Sequence, residues 1–118
     1  MREVRFYRTA SGECPVQRFL DRLNGKQAQK VIWVLRLIED LDRVPAQYLK
    51  KLDGTEELWE VRAQQGSDIF RLLGFFDDSR LLVLASGFAK KSRKVTRSEI
   101  EVATRRRRDY LRRREEHE

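Results

Sequence analysis

The sequence has few of the residues that form cross-links, bind metals or interrupt secondary structure. Its 118 residues include one cysteine, one histidine and two prolines. The lone Cys14 cannot form an internal disulfide, and no CxxC motif or Cys/His cluster has the spacing of a metal site. The histidine, His117, lies in a terminal segment that is expected to fray, which disfavours a catalytic role. We therefore expect neither a metal nor another cofactor.

Long hydrophobic runs are also absent. No apolar run approaches the length of a membrane span, and the first residues, "MREVRFYRTASG", lack the hydrophobic centre of a signal peptide. We therefore expect a cytoplasmic protein with no membrane contact. The length suits one compact domain, residues 1–118, with a core that needs no disulfides.

Positive charge is the strongest compositional feature that is present. The chain has 26 Lys and Arg residues against 19 Asp and Glu residues, a formal net charge of +7. From Lys90 onward the cations cluster, ending in "RRRRDYLRRR". This pattern indicates a nucleic-acid partner, and the alternative is a solvated helix face that keeps the protein soluble.

The spacing of apolar residues and turn signals predicts a small α+β domain. The turns "QGS" and "DDS" are of hairpin length, so the three central strands should form an antiparallel meander. The expected fold is a twisted antiparallel sheet covered by a helical hairpin. The predicted elements are a strand at 4–8, helices at 15 to about 24 and 26 to about 41, strands at 57–64, 68–76 and 80–88, and a helix at about 97–114, capped by Thr96 in a capping box with Glu99 and followed by a frayed tail at 115–118.

Two of the predicted strands carry arginines among apolar residues. Strand alternation places Glu60 and Arg62 on one face of their strand, and Arg71 lies in the middle of the next. A buried arginine is costly unless it is paired, so Glu60 is expected to form an ion pair with Arg71 or Arg62. Such a carboxylate could also orient an arginine that contacts a phosphate.

Three linked motifs carry a family resemblance. They are "LDGTEELWEVRAQ", "FRLLGFF" and "LVLASGFAKKSRKVTRSEIEVATRRRRDY". Together they resemble the phage-derived HigB-like branch of the RelE/ParE toxin superfamily, across almost the whole chain. The resemblance implies the toxin of a type II toxin-antitoxin pair, usually an endoribonuclease that cuts mRNA in the ribosomal A site without a metal.

The resemblance implies four catalytic residues: Arg62, Arg71, Lys90 and Lys91. RNA supplies its own nucleophile, the 2′-hydroxyl, so the enzyme must move protons and stabilise charge on the phosphate. Arginine suits the second task because its planar fork donates paired hydrogen bonds to phosphate oxygens. Lys90 or Lys91 could transfer protons, because neighbouring cations lower a lysine pKa. Tyr110 is an alternative proton donor, although its place on an apolar stripe favours a packing role.

Further basic residues are candidates for contacts with RNA, and in particular with ribosomal RNA. They are Arg93, Lys94, Arg105, Arg106, Arg108, Arg112 and Arg113. Trp33 and Trp59 could stack on bases, but both occur in apolar stretches, which favours packing in the core or against an antitoxin.

The partners that the resemblance implies are mRNA, the ribosome and a helix-turn-helix antitoxin of the HigA-like kind. Operator DNA would be bound only through the toxin-antitoxin complex. Two other functions remain open at this stage: a ParE-like toxin that inhibits gyrase, and a non-catalytic or decayed RNA-binding module, for which net charge alone would suffice.

Overall fold

The computed structural model describes residues 1–89 and 94–117. Within that part of the chain there are five strands and three helices. In chain order they are β1 (Glu3–Phe6), α1 (Pro15–Asp21), α2 (Gly25–Asp40), β2 (Leu49–Lys51), β3 (Trp59–Gln65), β4 (Asp68–Asp78), β5 (Leu81–Ala89) and α3 (Arg97–Glu116).

The helices begin where local sequence signals place them. Pro15 occupies the first turn of α1, where its missing N–H costs no hydrogen bond. At α2, the Asn24 side chain accepts a hydrogen bond from the Gln27 N–H, and the Gln27 side chain accepts one from the Asn24 N–H. This reciprocal capping box satisfies two N–H groups that the helix itself cannot bond. The Thr96 hydroxyl accepts a hydrogen bond from the Glu99 N–H, as expected for the start of α3.

The sheet has the order β1-β5-β4-β3-β2. The predicted meander of β3, β4 and β5 is confirmed, because both pairings are antiparallel. The prediction of a wholly antiparallel sheet is wrong, because β1 runs parallel to β5 and the sheet is therefore mixed. Short turns fix the relative directions within the meander, whereas no turn joins β1 to β5, so tertiary packing sets the direction of β1.

One strand was not predicted. The three residues of β2 pair with β3, with Leu49 opposite Val61 and Lys51 opposite Trp59. Helix α3 also differs from the expectation, because it continues through residues 115 and 116 of the expected tail.

The helices cover both faces of the sheet. Helices α1 and α2 share one face, where α1 lies against β5 and α2 against β3. The approach of α1 is close: a Cβ at Gly87 would lie 2.5 Å from the Phe19 ring. Helix α3 packs on the opposite face through Ala103 and Tyr110. We refer to this second face as the α3 face.

These elements form a small, compact α+β domain. The core on the first side joins α1 and α2 to the sheet. The α3 face holds two smaller clusters, one around Phe75 and one around Leu58 and Leu73. None of the described helices has both the length and the apolar character needed to cross a membrane.

Candidate functional site

A buried ion pair lies near the centre of the sheet. Arg71 on β4 and Glu60 on β3 are each 3% exposed. The Arg71 Nη1 atom donates a hydrogen bond of 2.7 Å to the Glu60 Oε2 atom. The expected ion pair of Glu60 is therefore confirmed, and of its two predicted partners the structure selects Arg71. Removing two charges from water is costly, so a pair this deeply buried persists only because its members neutralise each other at short range.

The pair borders a cavity of about 250 Å³ on the α3 face. Three cations line this cavity: Lys50 from β2, Arg71 from β4, and Lys94 just before α3. Two carboxylates, Glu60 and Asp53, also line it. We call this space the Arg71 cavity. Its lining carries more positive than negative charge, which favours an anionic ligand.

Lys50 is a candidate that sequence reasoning missed. It lies directly opposite Glu60 in the β2–β3 register, and its side chain lines the Arg71 cavity. The neighbouring Lys51 instead forms an ion pair of 3.0 Å with Glu57. The only signal in the sequence was the dipeptide Lys50-Lys51, which became informative once the strand that alternates its side chains was known.

Arg62 lies directly opposite Arg71 in the β3–β4 register. It lines a different cavity, of about 380 Å³, together with Tyr48 and Lys30. The two predicted catalytic arginines are therefore adjacent in the sheet but line two neighbouring cavities. Glu60 bonds Arg71, and Arg62 lies just past the point where the pairing of β2 with β3 ends.

A third and larger cleft lies between α1, β5 and α3, with a volume of about 420 Å³. Arg18, Arg22 and Arg106 contribute its positive charge. Arg106 also has a structural role, because its Nη1 atom donates hydrogen bonds to the Ala85 carbonyl at 2.8 Å and to the Ser86 hydroxyl at 3.0 Å. Burial lowers the pKa of Arg106 below its ordinary value.

The bond to Ala85 follows from an irregularity of the sheet. The register changes between Leu73 opposite Ser86 and Gly74 opposite Leu84, so Ala85 is the extra residue of a bulge. A bulged residue has no partner in the strand ladder, and the guanidinium of Arg106 bonds its carbonyl instead. The guanidinium of Arg106, which was predicted to contact ribosomal RNA, is therefore hydrogen-bonded to β5.

Most of the other α3 arginines predicted to contact RNA have acidic partners. Arg108 forms two hydrogen bonds with Glu56, at 2.9 and 2.6 Å, and these bonds lower the pKa of Glu56. Arg112 and Arg113 both contact Asp109, at 2.7 and 2.8 Å. The remaining member, Arg105, is exposed and has no acidic partner among the described residues.

Asp109 is the centre of a small polar network. The Tyr7 hydroxyl donates a hydrogen bond of 2.5 Å to Asp109, and the guanidiniums of Arg113 and Arg112 approach the same carboxylate. The pKa of Asp109 is lowered, first by the Tyr7 hydroxyl and then by the two arginines. The network joins the C-terminal half of α3 to the residue that follows β1.

Tyr110, the alternative proton donor, lies away from the Arg71 cavity. Its hydroxyl donates a hydrogen bond of 2.7 Å to Asp77, and its ring packs edge-on against Phe75 with centroids 5.3 Å apart. It therefore fastens α3 to β4 in this structure, as its place on the apolar stripe indicated.

Three predicted site residues, Lys90, Lys91 and Arg93, lie outside the described residues. Their assignments stay predictions. Lys94, the next described residue after Ala89 at the end of β5, lines the Arg71 cavity. No group of three or more His, Cys, Asp or Glu residues that could hold a metal ion occurs within residues 1–89 and 94–117.

Comparison with known proteins identifies a family for most of the chain. Residues 18–108 match the model of the family described as Phage derived protein Gp49-like (DUF891). The matched span includes β2 to β5, the Glu60–Arg71 pair and the cation-rich stretch from Lys90 to Lys94. No curated protein matches the sequence. Because the match covers well over half of its length, the chain belongs to the phage-derived Gp49-like family.

Proposed function

We propose that the protein is the toxin of a type II toxin-antitoxin pair, related to the RelE and HigB toxins, and that it cleaves mRNA on the ribosome. Its membership of a phage-derived family supports this proposal, as does the motif resemblance. The observation that carries it is the Arg71 cavity, where an arginine held by a buried carboxylate faces a space lined by two lysines.

The proposed chemistry needs no group beyond RNA and basic side chains. The RNA 2′-oxygen attacks the phosphorus, the bond from phosphorus to the 5′-oxygen breaks, and the products are a 2′,3′-cyclic phosphate and a 5′-hydroxyl. Arg71 stabilises the extra charge on the phosphate oxygens. Glu60 fixes the position of the guanidinium before the substrate arrives, so little reorganisation is needed during the reaction.

The lysines have a separate role in this scheme. Lys50 and Lys94 line the same cavity as Arg71 and would add to the positive potential at the phosphate. Lys90 and Lys91, which precede Lys94 by a few positions, are the proposed proton-transfer residues: one of them, in its neutral form, takes the proton of the 2′-hydroxyl, and the other gives a proton to the leaving 5′-oxygen. Arg62, opposite Arg71, would contact an adjoining phosphate of the same strand.

The proposed setting is the cytoplasm, where mRNA is translated. A toxin of this kind needs a partner that restrains it, and the proposed partner is a helix-turn-helix antitoxin of the HigA-like kind. The complex of the two, and not the toxin alone, would bind operator DNA. The exposed guanidiniums of Arg105, Arg108 and Arg112 are the proposed contacts with ribosomal RNA.

The proposal is tested with two adjacent lysines that differ in what they face. Lys50→Gln removes a cation from the Arg71 cavity, whereas Lys51→Gln removes one that pairs with Glu57. Both are exposed strand residues, so each change should alter stability by less than about 0.5 kcal/mol. Wild type and the two variants are added to a translating extract, and new mRNA 5′ ends are mapped by primer extension.

We expect cleavage by wild type and by Lys51→Gln, and at least tenfold slower cleavage by Lys50→Gln. Ends bearing 5′-hydroxyls would support attack by the 2′-oxygen. Intact mRNA with wild-type protein would refute the nuclease proposal. Inhibition of gyrase by the same protein would identify a ParE-like toxin instead of a nuclease. RNA binding without cleavage would identify a non-catalytic RNA-binding module.

A further inference from the structure

An open groove lies at the edge of β3. Strand β2 covers β3 only as far as Val61, and the next contact is one hydrogen bond of 2.9 Å from the Arg62 N–H to the Tyr48 carbonyl. Beyond this point, the cavity of about 380 Å³ is lined by Lys30, Gln47, Tyr48, Arg62 and Gln64. We call this space the edge groove.

An exposed tryptophan borders the edge groove. Trp33 on α2 is 47% exposed, the most of any large aromatic side chain among the described residues. Its ring meets the Tyr48 ring edge-on at 5.8 Å, and the Lys30 ammonium lies 4.3 Å from its centroid. Trp33 therefore does not pack in the core, which was one of the two packing alternatives, whereas packing against an antitoxin stays a prediction.

The charged side chains that line the edge groove have one sign, and the acidic residue Asp68 contacts α2 one turn before Lys30, through Gln27 at 3.4 Å. Lys30 and Arg62 line the groove, and none of the described lining residues is acidic. Helix α2 has no acidic residue from Lys26 to Ile38. The other lining side chains, Gln47 and Gln64, carry amides that can both donate and accept hydrogen bonds. An exposed indole beside cations and amides matches the chemistry of an unpaired nucleotide better than that of an apolar protein segment.

We propose that the edge groove binds an unpaired nucleotide of single-stranded RNA, with its base stacked on Trp33 and its phosphate contacted by Lys30 and Arg62. This subsite rests on the proposed function, since it concerns the strand whose phosphate would enter the Arg71 cavity. Arg62 connects the two sites, because it lines the groove and lies directly opposite Arg71. Because α2 covers the first face of the sheet and the Arg71 cavity lies on the α3 face, a bound RNA strand would pass around the edge of β3 at Arg62 to meet both.

Binding can be measured through Trp33 itself. In a Trp59→Phe background, Trp33 is the sole tryptophan, and Trp59 packs on Phe76, so phenylalanine keeps an aromatic ring there. The probe is a short uridine-rich RNA, 2′-O-methylated throughout so that it cannot be cleaved. We expect saturable quenching of the tryptophan fluorescence, with an affinity that falls as salt rises. The same RNA annealed into a duplex should not quench it.

Variants locate the binding surface. With fluorescently labelled RNA and the native Trp59, Trp33→Ala should weaken binding about tenfold, as expected for loss of one base stack. Lys30→Gln and Arg62→Gln should each weaken binding several-fold and reduce its salt dependence. Arg5→Gln is the matched control, because Arg5 is an exposed cation on β1, at the opposite edge of the sheet. It should bind nearly as well as wild type.

The outcomes separate this subsite from the nuclease proposal. Unchanged RNA affinity in Trp33→Ala would overturn the subsite and assign the exposed indole to a protein contact. Equal losses in Lys30→Gln, Arg62→Gln and the Arg5→Gln control would overturn it too, because binding would then follow net charge alone. Cleavage without Trp33 quenching would refute the subsite and leave the nuclease proposal intact. Quenching without cleavage would support the subsite and refute the nuclease proposal.

Discussion

Replacing Arg71 should have two separable effects, one on stability and one on activity. Arg71→Ala leaves the Glu60 carboxylate buried without the guanidinium that bonds it at 2.7 Å. Breaking a buried pair by removing one partner costs about 3–5 kcal/mol. For a domain of this size, that loss corresponds to a fall in melting temperature on the order of 10–20 °C. Loss of toxicity in Arg71→Ala would therefore be ambiguous, because the variant would also unfold more readily.

The double variant Glu60→Met/Arg71→Met removes this ambiguity. Replacing both members of a buried ion pair with apolar residues of similar volume is commonly neutral, or stabilising by about 1–4 kcal/mol. Leu58 and Leu73 lie on the same face and supply an apolar environment for the two methionines. We expect the double variant to melt at or above the wild-type temperature while lacking the charge proposed to stabilise the phosphate.

The assay combines thermal unfolding with mRNA cleavage in a translating extract. A stable double variant whose cleavage falls by at least a factor of a hundred would assign a catalytic role to Arg71, in line with the loss of one preorganised donor. A double variant that cleaves like wild type would show that the pair serves only the fold. An Arg71→Ala variant with the melting temperature of wild type would contradict the predicted loss of stability.

Three further predictions follow from the contacts of α3. Arg106→Gln should lower the free energy of unfolding by about 1–3 kcal/mol, because the hydrogen bonds to Ala85 and Ser86 are lost. Arg105→Gln should change the free energy of unfolding by less than about 0.5 kcal/mol. Chemical denaturation of both variants and wild type measures the difference. Arg105→Gln should nevertheless weaken co-sedimentation with ribosomes at low salt, and equal sedimentation across a salt series would contradict its docking role. Because the pKa of Asp109 is lowered in the folded protein, its ionised carboxylate stabilises the fold at pH values above the ordinary aspartate pKa of about 3.9. This stabilisation is lost as the pH falls through the lower pKa of the folded state. The melting temperatures of Asp109→Asn and wild type should therefore converge in acid.

The parts of the fold that depend on local patterns could be predicted from the sequence. Helix α2 follows from the spacing of its buried residues, and the meander follows from two turns of hairpin length. An ion pair between Glu60 and Arg71 or Arg62 could be predicted because alternation along a strand depends only on sequence parity, and the structure was needed only to choose Arg71. In each case the structural cause lies within a short stretch of chain.

The parts that depend on distant contacts could not be predicted. Strand β2 has three residues, too few for an alternating pattern, and it is a strand only because β3 lies beside it. Lys50 was missed for the same reason, since nothing in the dipeptide Lys50-Lys51 shows which lysine faces Arg71. The parallel pairing of β1 with β5 likewise joins two segments almost eighty positions apart.

The arginine-rich helix shows why a cluster of charge in the sequence is a poor guide to a cluster of charge in space. Its guanidiniums are partly occupied by Asp109 within the helix, and by Glu56 and the carbonyl of Ala85, which are near the helix only in the folded chain. The cations of the Arg71 cavity and the edge groove, by contrast, come from α2, β2, β3, β4 and the residues before α3, and no two of them are adjacent in the sequence. Arg62, Arg71 and Lys94 were predicted as site residues, whereas Lys30 and Lys50 became candidates only once the folded sheet placed them beside these residues. A ligand that responds to local potential should therefore select the sheet surface, and the α3 arginines should add mainly a long-range, salt-sensitive attraction.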